Sequence, residues 1–193
     1  MLFLDFELVL RDLCEMSLTP NLKGIAALVR IAGKLDTEIV TANPEEATTL
    51  RVVSYYTRYY AVEKGLKLKK DAADEAFLET LFTCLSSARA SLPAGGDDVC
   101  FKILGTYVVE RFSALMDEEA MGTSTKATAQ NFLECSYLHQ VLKTFPKQVQ
   151  ENQLEADIDE KVLQCMEKAK EIARRPPAEF GTPPPPAAPA AAP

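Results

Sequence analysis

Apolar residues recur every three or four positions in each segment between strong breakers of this 193-residue sequence. That period places the apolar side chains on one face of an α-helix, whereas a half-buried strand requires strict alternation. Alternating runs bounded by turn residues do not occur in the sequence. The pattern therefore predicts an all-α protein of six or seven antiparallel helices joined by short loops.

Proline, glycine and capping residues mark the ends of the predicted helices. Asn43, followed by a proline and two acids, is typical of an N-cap, and Asp97 or Asp98 is expected to cap the fourth segment. Gly65 suits the end of the second helix, and Pro146 is expected to stop the fifth. These signals predict six main helices that begin near residues 20, 44, 71, 97, 125 and 153.

The strongest turn signal, at residues 93–96, divides the helices three plus three. We therefore expect a first three-helix module at 20–94 and a second at 95–175. An amphipathic helical extension is predicted at 1–19, where apolar residues again follow helical spacing. Residues 176–193 contain eight prolines and one charged residue, a composition that predicts a disordered Pro/Ala-rich tail or linker.

Charge and cysteine usage exclude several classes of protein. The sequence has 21 basic and 28 acidic residues, a net charge of −7, which disfavours nucleic-acid binding. No apolar run approaches the roughly 20 residues that span a bilayer, so no membrane insertion is expected. The five cysteines form no CxxC pair and fall mostly on apolar stripes. This predicts free, buried thiols and a cytoplasmic protein.

Groups that carry catalytic chemistry are scarce. The single histidine, His139, lies one helical turn after Cys135, so the two side chains share a face. Zinc requires three or four protein ligands, and the other cysteines are expected to lie apart on apolar stripes. A Cys–His nucleophile would lack an orienting group. The sequence therefore predicts no enzyme, no metal site and no cofactor.

The remaining candidate is a binding surface. The four tyrosines between residues 55 and 60 are expected to pack helices together with their hydroxyls at the rim, although the same cluster is compatible with an aromatic pocket. Bundles of three short helices have grooves that accept an amphipathic helix of another protein. A net negative charge favours basic partner helices. These features predict a helical binding module.

One segment also matches a known signature. Residues 52–68, VVSYYTRYYAVEKGLKL, resemble the V-x-Y-Y-x-R-x-Y-A-x-x-x-G-x-K stretch of the Vps-twenty-associated family, called LYST-interacting protein five in animals. Residues 107–112 and 126–132 are similar to the second module of that family, and the helix at 161–175 lies where the family has its last helix. The resemblance covers about residues 20–180.

The resemblance implies two tandem microtubule-interacting-and-transport (MIT) modules. It implies a non-catalytic adaptor that binds C-terminal helices of ESCRT-III subunits in the multivesicular-body pathway. It further implies a cofactor of the AAA ATPase that disassembles those filaments, recruited from the cytoplasm to the endosome membrane through its partners. Family members resume after a linker with a C-terminal helical pair that contacts the ATPase, whereas this sequence ends in proline and alanine. Contact with the ATPase is accordingly in doubt.

Candidate contact residues are expected at the partly exposed edges of the apolar stripes. We select six of them as the predicted partner-binding residues: Tyr60, Lys64, Asp117, Glu119, Lys126 and Glu134. The alternative interpretation is a generic helical interaction scaffold in which the proline run at 183–186 is a spacer.

Overall fold

The computed structural model describes residues 18–176. It contains seven α-helices: α1 (Ala26–Ile39), α2 (Pro44–Leu68), α3 (Ala72–Ala88), α4 (Gly96–Ala120), α5 (Lys126–Val141), α6 (Pro146–Glu151) and α7 (Glu155–Ala173). Short 3-10 helices precede α1 (Pro20–Ile25), follow α3 (Arg89–Ser91) and follow α5 (Leu142–Thr144). Residues 18–176 contain no β-strand, so the predicted all-α class is confirmed. The predicted helix at 1–19 and the tail from 176 onward lie almost entirely outside the described residues.

Three of the helices begin at side-chain caps. Asn43 Oδ1 accepts hydrogen bonds of 3.1 and 3.0 Å from the first-turn amides of α2, as predicted. Asp71 and Asp74 form a capping box at α3, and Thr125 and Thr128 form another at α5. Each cap satisfies amides that have no partner within the helix, and the helix starts follow from these local bonds.

Two predicted boundaries are wrong. Neither Asp97 nor Asp98 caps α4. Its N-cap is Gly95, whose φ of 114° suits a residue without a Cβ, and both acids lie in the first turn. Pro146 does not end the fifth helix either, because α5 ends at Val141 and Pro146 instead opens α6. Proline is compatible with a first helical turn, where its missing N–H has no intrahelical partner in any case.

Gly65 lies in the last turn of α2, close to the predicted end of that helix, and its position reflects packing. A Cβ on Gly65 would lie 2.4 Å from Leu78 Cδ2 on α3 and 3.3 Å from Ile25 Cδ1. The bare backbone therefore lets α2 and α3 approach each other closely. In the described chain the most extensive contacts between helices join α5 to α7 and α1 to α2, and α2 also contacts α3, α4 and α5.

The main apolar core is continuous across the predicted module boundary. It joins buried residues of α1 and of the segment before it to residues of α2, α3, α4, α5, α6 and the start of α7. A smaller core cluster lies at the other end of α4, α5 and α7, around the fully buried Phe132. The division into modules at 20–94 and 95–175 stays a prediction.

Candidate functional site

The tyrosine-rich stretch of α2 faces α4 and the segment before α6. Tyr56 is 8% exposed, and its ring centroid lies 4.3 Å from that of Phe145. Its hydroxyl donates a 3.0 Å hydrogen bond to Asp97 Oδ1. Burial raises the pKa of Tyr56, and the nearby Cys100 and Asp97 raise it further. Tyr56 thus packs helices with its hydroxyl at the rim.

An open cleft of about 420 Å³ adjoins these rings. Its walls include Tyr55, Tyr59, Arg89 and Asp97. Asp97 already accepts the Tyr56 hydroxyl, and Arg89 is the basic group of the lining. The cleft is a groove between helices with aromatic walls, a shape suited to contact with another macromolecule.

Two of the predicted contact residues, Tyr60 and Lys64, lie where α2 meets α5. The Tyr60 hydroxyl donates a 3.4 Å hydrogen bond and Lys64 Nζ a 3.1 Å bond to the same atom, Gln140 Oε1. Lys64 Nζ also lies 4.9 Å from the centroid of the Tyr60 ring. Desolvation, followed by the charge of Lys67, lowers the pKa of Lys64.

Glu134 is buried and connects three helices. Its Oε2 atom accepts hydrogen bonds of 3.2 Å from Lys34 on α1 and 3.2 Å from Arg111 on α4. The Glu134 side chain is 9% exposed. Its carboxylate therefore serves ion pairs within the chain.

Glu119 connects α4 to the end of α7. It pairs with Arg175, accepts a 2.7 Å hydrogen bond from Ser124, and lies 3.5 Å from Lys168 Nζ. Hydrogen bonding to Arg175, reinforced by Ser124 and by the charges of Arg175 and Lys168, lowers the pKa of Glu119 to about 2. Like Glu134, this residue is engaged within the chain.

The last two predicted contact residues, Asp117 and Lys126, are exposed. Asp117 belongs to what we call the α4 outer face, formed by Val109, Glu110, Ser113, Asp117 and Met121. Val109 is 64% exposed and Met121 is 69% exposed, and the three residues between them are also exposed. The sequence does not single out Val109 or Met121, because both lie off the core stripe. Val109, Ser113, Asp117 and Met121 follow one another at intervals of four residues. This spacing is the signal in the sequence that identifies an exposed face in addition to the core-facing one.

The structure brings a third potential metal ligand to Cys135 and His139. The ligand atoms of Cys135, His139 and Cys165 all lie within 4.8 Å of one another, and the three residues are 0%, 4% and 0% exposed. The expectation that the other cysteines lie apart from this pair is therefore wrong. The reason is that α7 packs closely on α5 and directs Cys165 toward it. Hydrogen bonding from Cys135, with contributions from His139 and Lys161, lowers the pKa of Cys165.

The other described cysteines, Cys84 and Cys100, are also free and buried, as predicted, while Cys14 lies outside the described residues. Burial raises the pKa of both thiols. None of the described helices combines the length and the apolarity that crossing a bilayer requires.

Together, the helical architecture, the aromatic groove and the exposed α4 outer face define a helical-bundle protein with surfaces suited to protein partners. Comparison with known families matches residues 37–175 to the family described as "Vta1 like". The chain belongs to the Vta1-like family, which is associated with the vacuolar sorting pathway. A search of curated proteins found no match to the chain.

Proposed function

We propose that this protein is a non-catalytic adaptor that binds the C-terminal helices of ESCRT-III subunits and acts as a cofactor of the AAA ATPase that disassembles them. The observation that carries the proposal is the family match over residues 37–175, which extends from the end of α1 through α7. The tandem MIT-like modules at 20–94 and 95–175 are part of the same proposal.

The α4 outer face is the surface that we propose for one partner helix. Its exposed Val109 and Met121 offer apolar contacts at either end, and the small Ser113 between them leaves room for a helix backbone. The exposed carboxylates of Glu110 and Asp117 lie seven residues apart, about two helical turns. An amphipathic helix with basic residues beside an apolar stripe is complementary to this arrangement.

The charge of the whole protein supports the same choice of partner. A net charge of −7 attracts basic helices at a distance, which raises the rate of encounter. Of the six predicted contact residues, Asp117 and Lys126 are exposed, whereas Glu119 and Glu134 are held in ion pairs. The proposal therefore gives Asp117 and its neighbours on α4 the larger part in binding.

Titration of fluorescent ESCRT-III tail peptides tests the proposal. We expect Kd values between about 1 μM and 1 mM for at least one peptide, and no binding to any of them at about 1 mM would refute it. Removing the tail after residue 176 should leave the affinity unchanged, since that segment is proposed to be a spacer.

A charge-reversal pair locates the surface. The Glu110→Lys/Asp117→Lys variant should bind at least about tenfold more weakly and with a smaller dependence on salt. The Glu160→Lys/Glu167→Lys variant is the matched control, because these exposed acids on α7 have the same seven-residue spacing and the same charge change. Equal weakening in both variants would point to net charge alone and would reject the α4 outer face as the site.

The cofactor role and the location are separate parts of the proposal. We expect the protein to change the rate of ATP hydrolysis by the sorting ATPase when both are mixed with ESCRT-III filaments. A fluorescent fusion should be cytoplasmic and should concentrate on endosomes only when ESCRT-III subunits are present. Peptide binding without any effect on the ATPase would leave an ESCRT-III-binding protein and would remove the cofactor role.

A further inference from the structure

The buried cluster of Cys135, His139 and Cys165 has no part in the proposed partner binding. We propose that these three residues form a binding site for a thiophilic d10 metal ion, either Zn²⁺ or Cu(I). The proposal rests on their ligand atoms, which lie within 4.8 Å of one another in the interface between α5 and α7. It is independent of the proposed function.

The types of ligand define which ions the cluster would accept. Two thiolates and one imidazole are soft or borderline ligands, which select Zn²⁺ or Cu(I) over oxygen-seeking ions such as Mg²⁺ and Ca²⁺. Two thiolates also neutralise the charge of one Zn²⁺ ion, so the cost of burying the charges is reduced.

The histidine is held in an orientation that suits a ligand. His139 Nδ1 lies 2.9 Å from the backbone oxygen of Cys135. In the tautomer that donates to this carbonyl oxygen the proton is on Nδ1, which also lies 3.7 Å from Cys135 Sγ. In the neutral ring, Nε2 then has a free lone pair. A histidine that binds a metal usually donates its other ring N–H to a backbone carbonyl or a carboxylate, which fixes the tautomer.

The surroundings are buried and largely apolar. The His139 ring packs edge-on against Phe112 with centroids 5.8 Å apart, and Phe132 in the same cluster is fully buried. Lys161 Nζ lies 4.7 Å from the centroid of the Phe112 ring, so one cation borders the site. In such an environment the thiolates have little competing hydration, which strengthens their bonds to a metal ion.

The spacing of the ligand atoms requires at most a modest contraction. Zn–S bonds of about 2.3 Å in a tetrahedron place two sulfur atoms roughly 3.8 Å apart, about 1 Å closer than the upper limit observed here. Rotation of the cysteine side chains supplies a movement of that size. Three protein ligands suit three-coordinate Cu(I), whereas Zn²⁺ would take a fourth ligand from solvent.

The test uses the full chain, fully reduced, and titrates it separately with Zn²⁺, with Cu(I) and with Co²⁺ as a spectroscopic substitute for Zn²⁺. We expect one ion per chain and, with Co²⁺, a thiolate-to-metal charge-transfer absorption in the near ultraviolet. Binding of Zn²⁺ and Co²⁺ would establish a four-coordinate site, and binding of Cu(I) alone would establish a three-coordinate one. The wild-type spectrum requires no variant, so a folding defect cannot obscure it.

The Cys165→Ser variant should reduce metal affinity by at least about 100-fold, since losing only a hydrogen-bond partner of a ligand already costs up to that factor. The matched control is Cys84→Ser, because Cys84 is also a free and buried thiol but lies on α3. It should leave the affinity and the Co²⁺ spectrum unchanged. The proposal is overturned if neither Zn²⁺ nor Cu(I) binds stoichiometrically, if Co²⁺ binds without a charge-transfer absorption, or if both variants bind alike.

Discussion

Tyr56 Oη donates a 3.0 Å hydrogen bond to Asp97 Oδ1, and this bond joins the middle of α2 to the first turn of α4. The Tyr56→Phe variant keeps the ring packed on Phe145 and removes only the hydroxyl. We expect a loss of about 1 kcal/mol in the free energy of unfolding, measured by urea denaturation. The Tyr59→Phe control alters a half-exposed ring on the same helix and should stay within about 0.5 kcal/mol of wild type. Equal losses in the two variants would contradict the assignment.

The ion pair between Asp36 and Arg58 should be one of the costliest to break. Their side chains are 15% and 7% exposed, and Ser54 hydrogen-bonds to both. Replacing Arg58 by Met leaves the Asp36 carboxylate without this partner in a nearly buried place, so we expect a loss of about 3 kcal/mol or more. Chemical denaturation gives the value.

The control for that variant is Lys69→Met. Lys69 and Glu75 form a 2.9 Å pair whose side chains are 38% and 57% exposed. Solvent screens this pair, so its loss should cost less than about 1 kcal/mol. Similar losses for Arg58→Met and Lys69→Met would show that burial does not determine the strength of these pairs.

Glu119 should make the stability depend on pH in the acid range. Its pKa in the folded protein is about 2, below the ordinary value of 4.5, chiefly because it accepts hydrogen bonds from Arg175. A carboxylate whose pKa is lowered by folding stabilises the fold fully above its unfolded pKa. That contribution is lost as the pH falls through the folded pKa.

The stability advantage of wild type over Glu119→Gln should therefore be full above about pH 5 and should shrink as the pH falls from about 4.5 to 2. Thermal unfolding across this range measures the difference. Asp117→Asn is the control, because Asp117 is an exposed carboxylate on the same helix. A constant difference between wild type and Glu119→Gln at all pH values would be inconsistent with the Arg175 pairing.

Two glycines inside helices should respond to alanine in opposite directions. At Gly65 the new Cβ would lie 2.4 Å from Leu78 Cδ2, so crowding should destabilise the protein by about 1–3 kcal/mol. At Gly105, inside α4, a Cβ meets nothing within 4 Å, and the higher helix propensity of alanine should stabilise it by about 0.5–1 kcal/mol. Denaturation curves of the two variants give the signs, and a stabilised Gly65→Ala would disprove close packing of α2 on α3.

The sequence predicts those features of the fold that are decided within a few residues. Asn43 is an example, because its side chain bonds to amides only two and three positions away. The start of α4 is ambiguous on the same grounds, since both aspartate and glycine are good N-cap residues. In the structure the N-cap is Gly95, which has a left-handed backbone conformation, and no local sequence pattern specifies that conformation.

Contacts between distant residues are not predictable from spacing. Helical periodicity places Cys135 and His139 on one face of α5, but which residue of α7 faces them depends on the packing angle of the two helices. For the same reason Glu134 is expected at the edge of a groove, whereas the structure buries it beside Lys34, 100 residues earlier. A charged residue becomes an interior one only when its partners are brought to it by the fold.

The match to the Vta1-like family begins at residue 37, inside α1. Several of the most deeply enclosed side chains precede that position, among them Leu22, Ile25 and Leu28, each with no accessible surface. A truncated protein of residues 37–175 would lack these side chains. The apolar surface of α2 that they cover would then be exposed to solvent and prone to aggregation. The extent of the family match and the extent of the part that can fold alone are thus different properties of this chain, and a soluble truncation has to retain the buried residues from Leu22 onward.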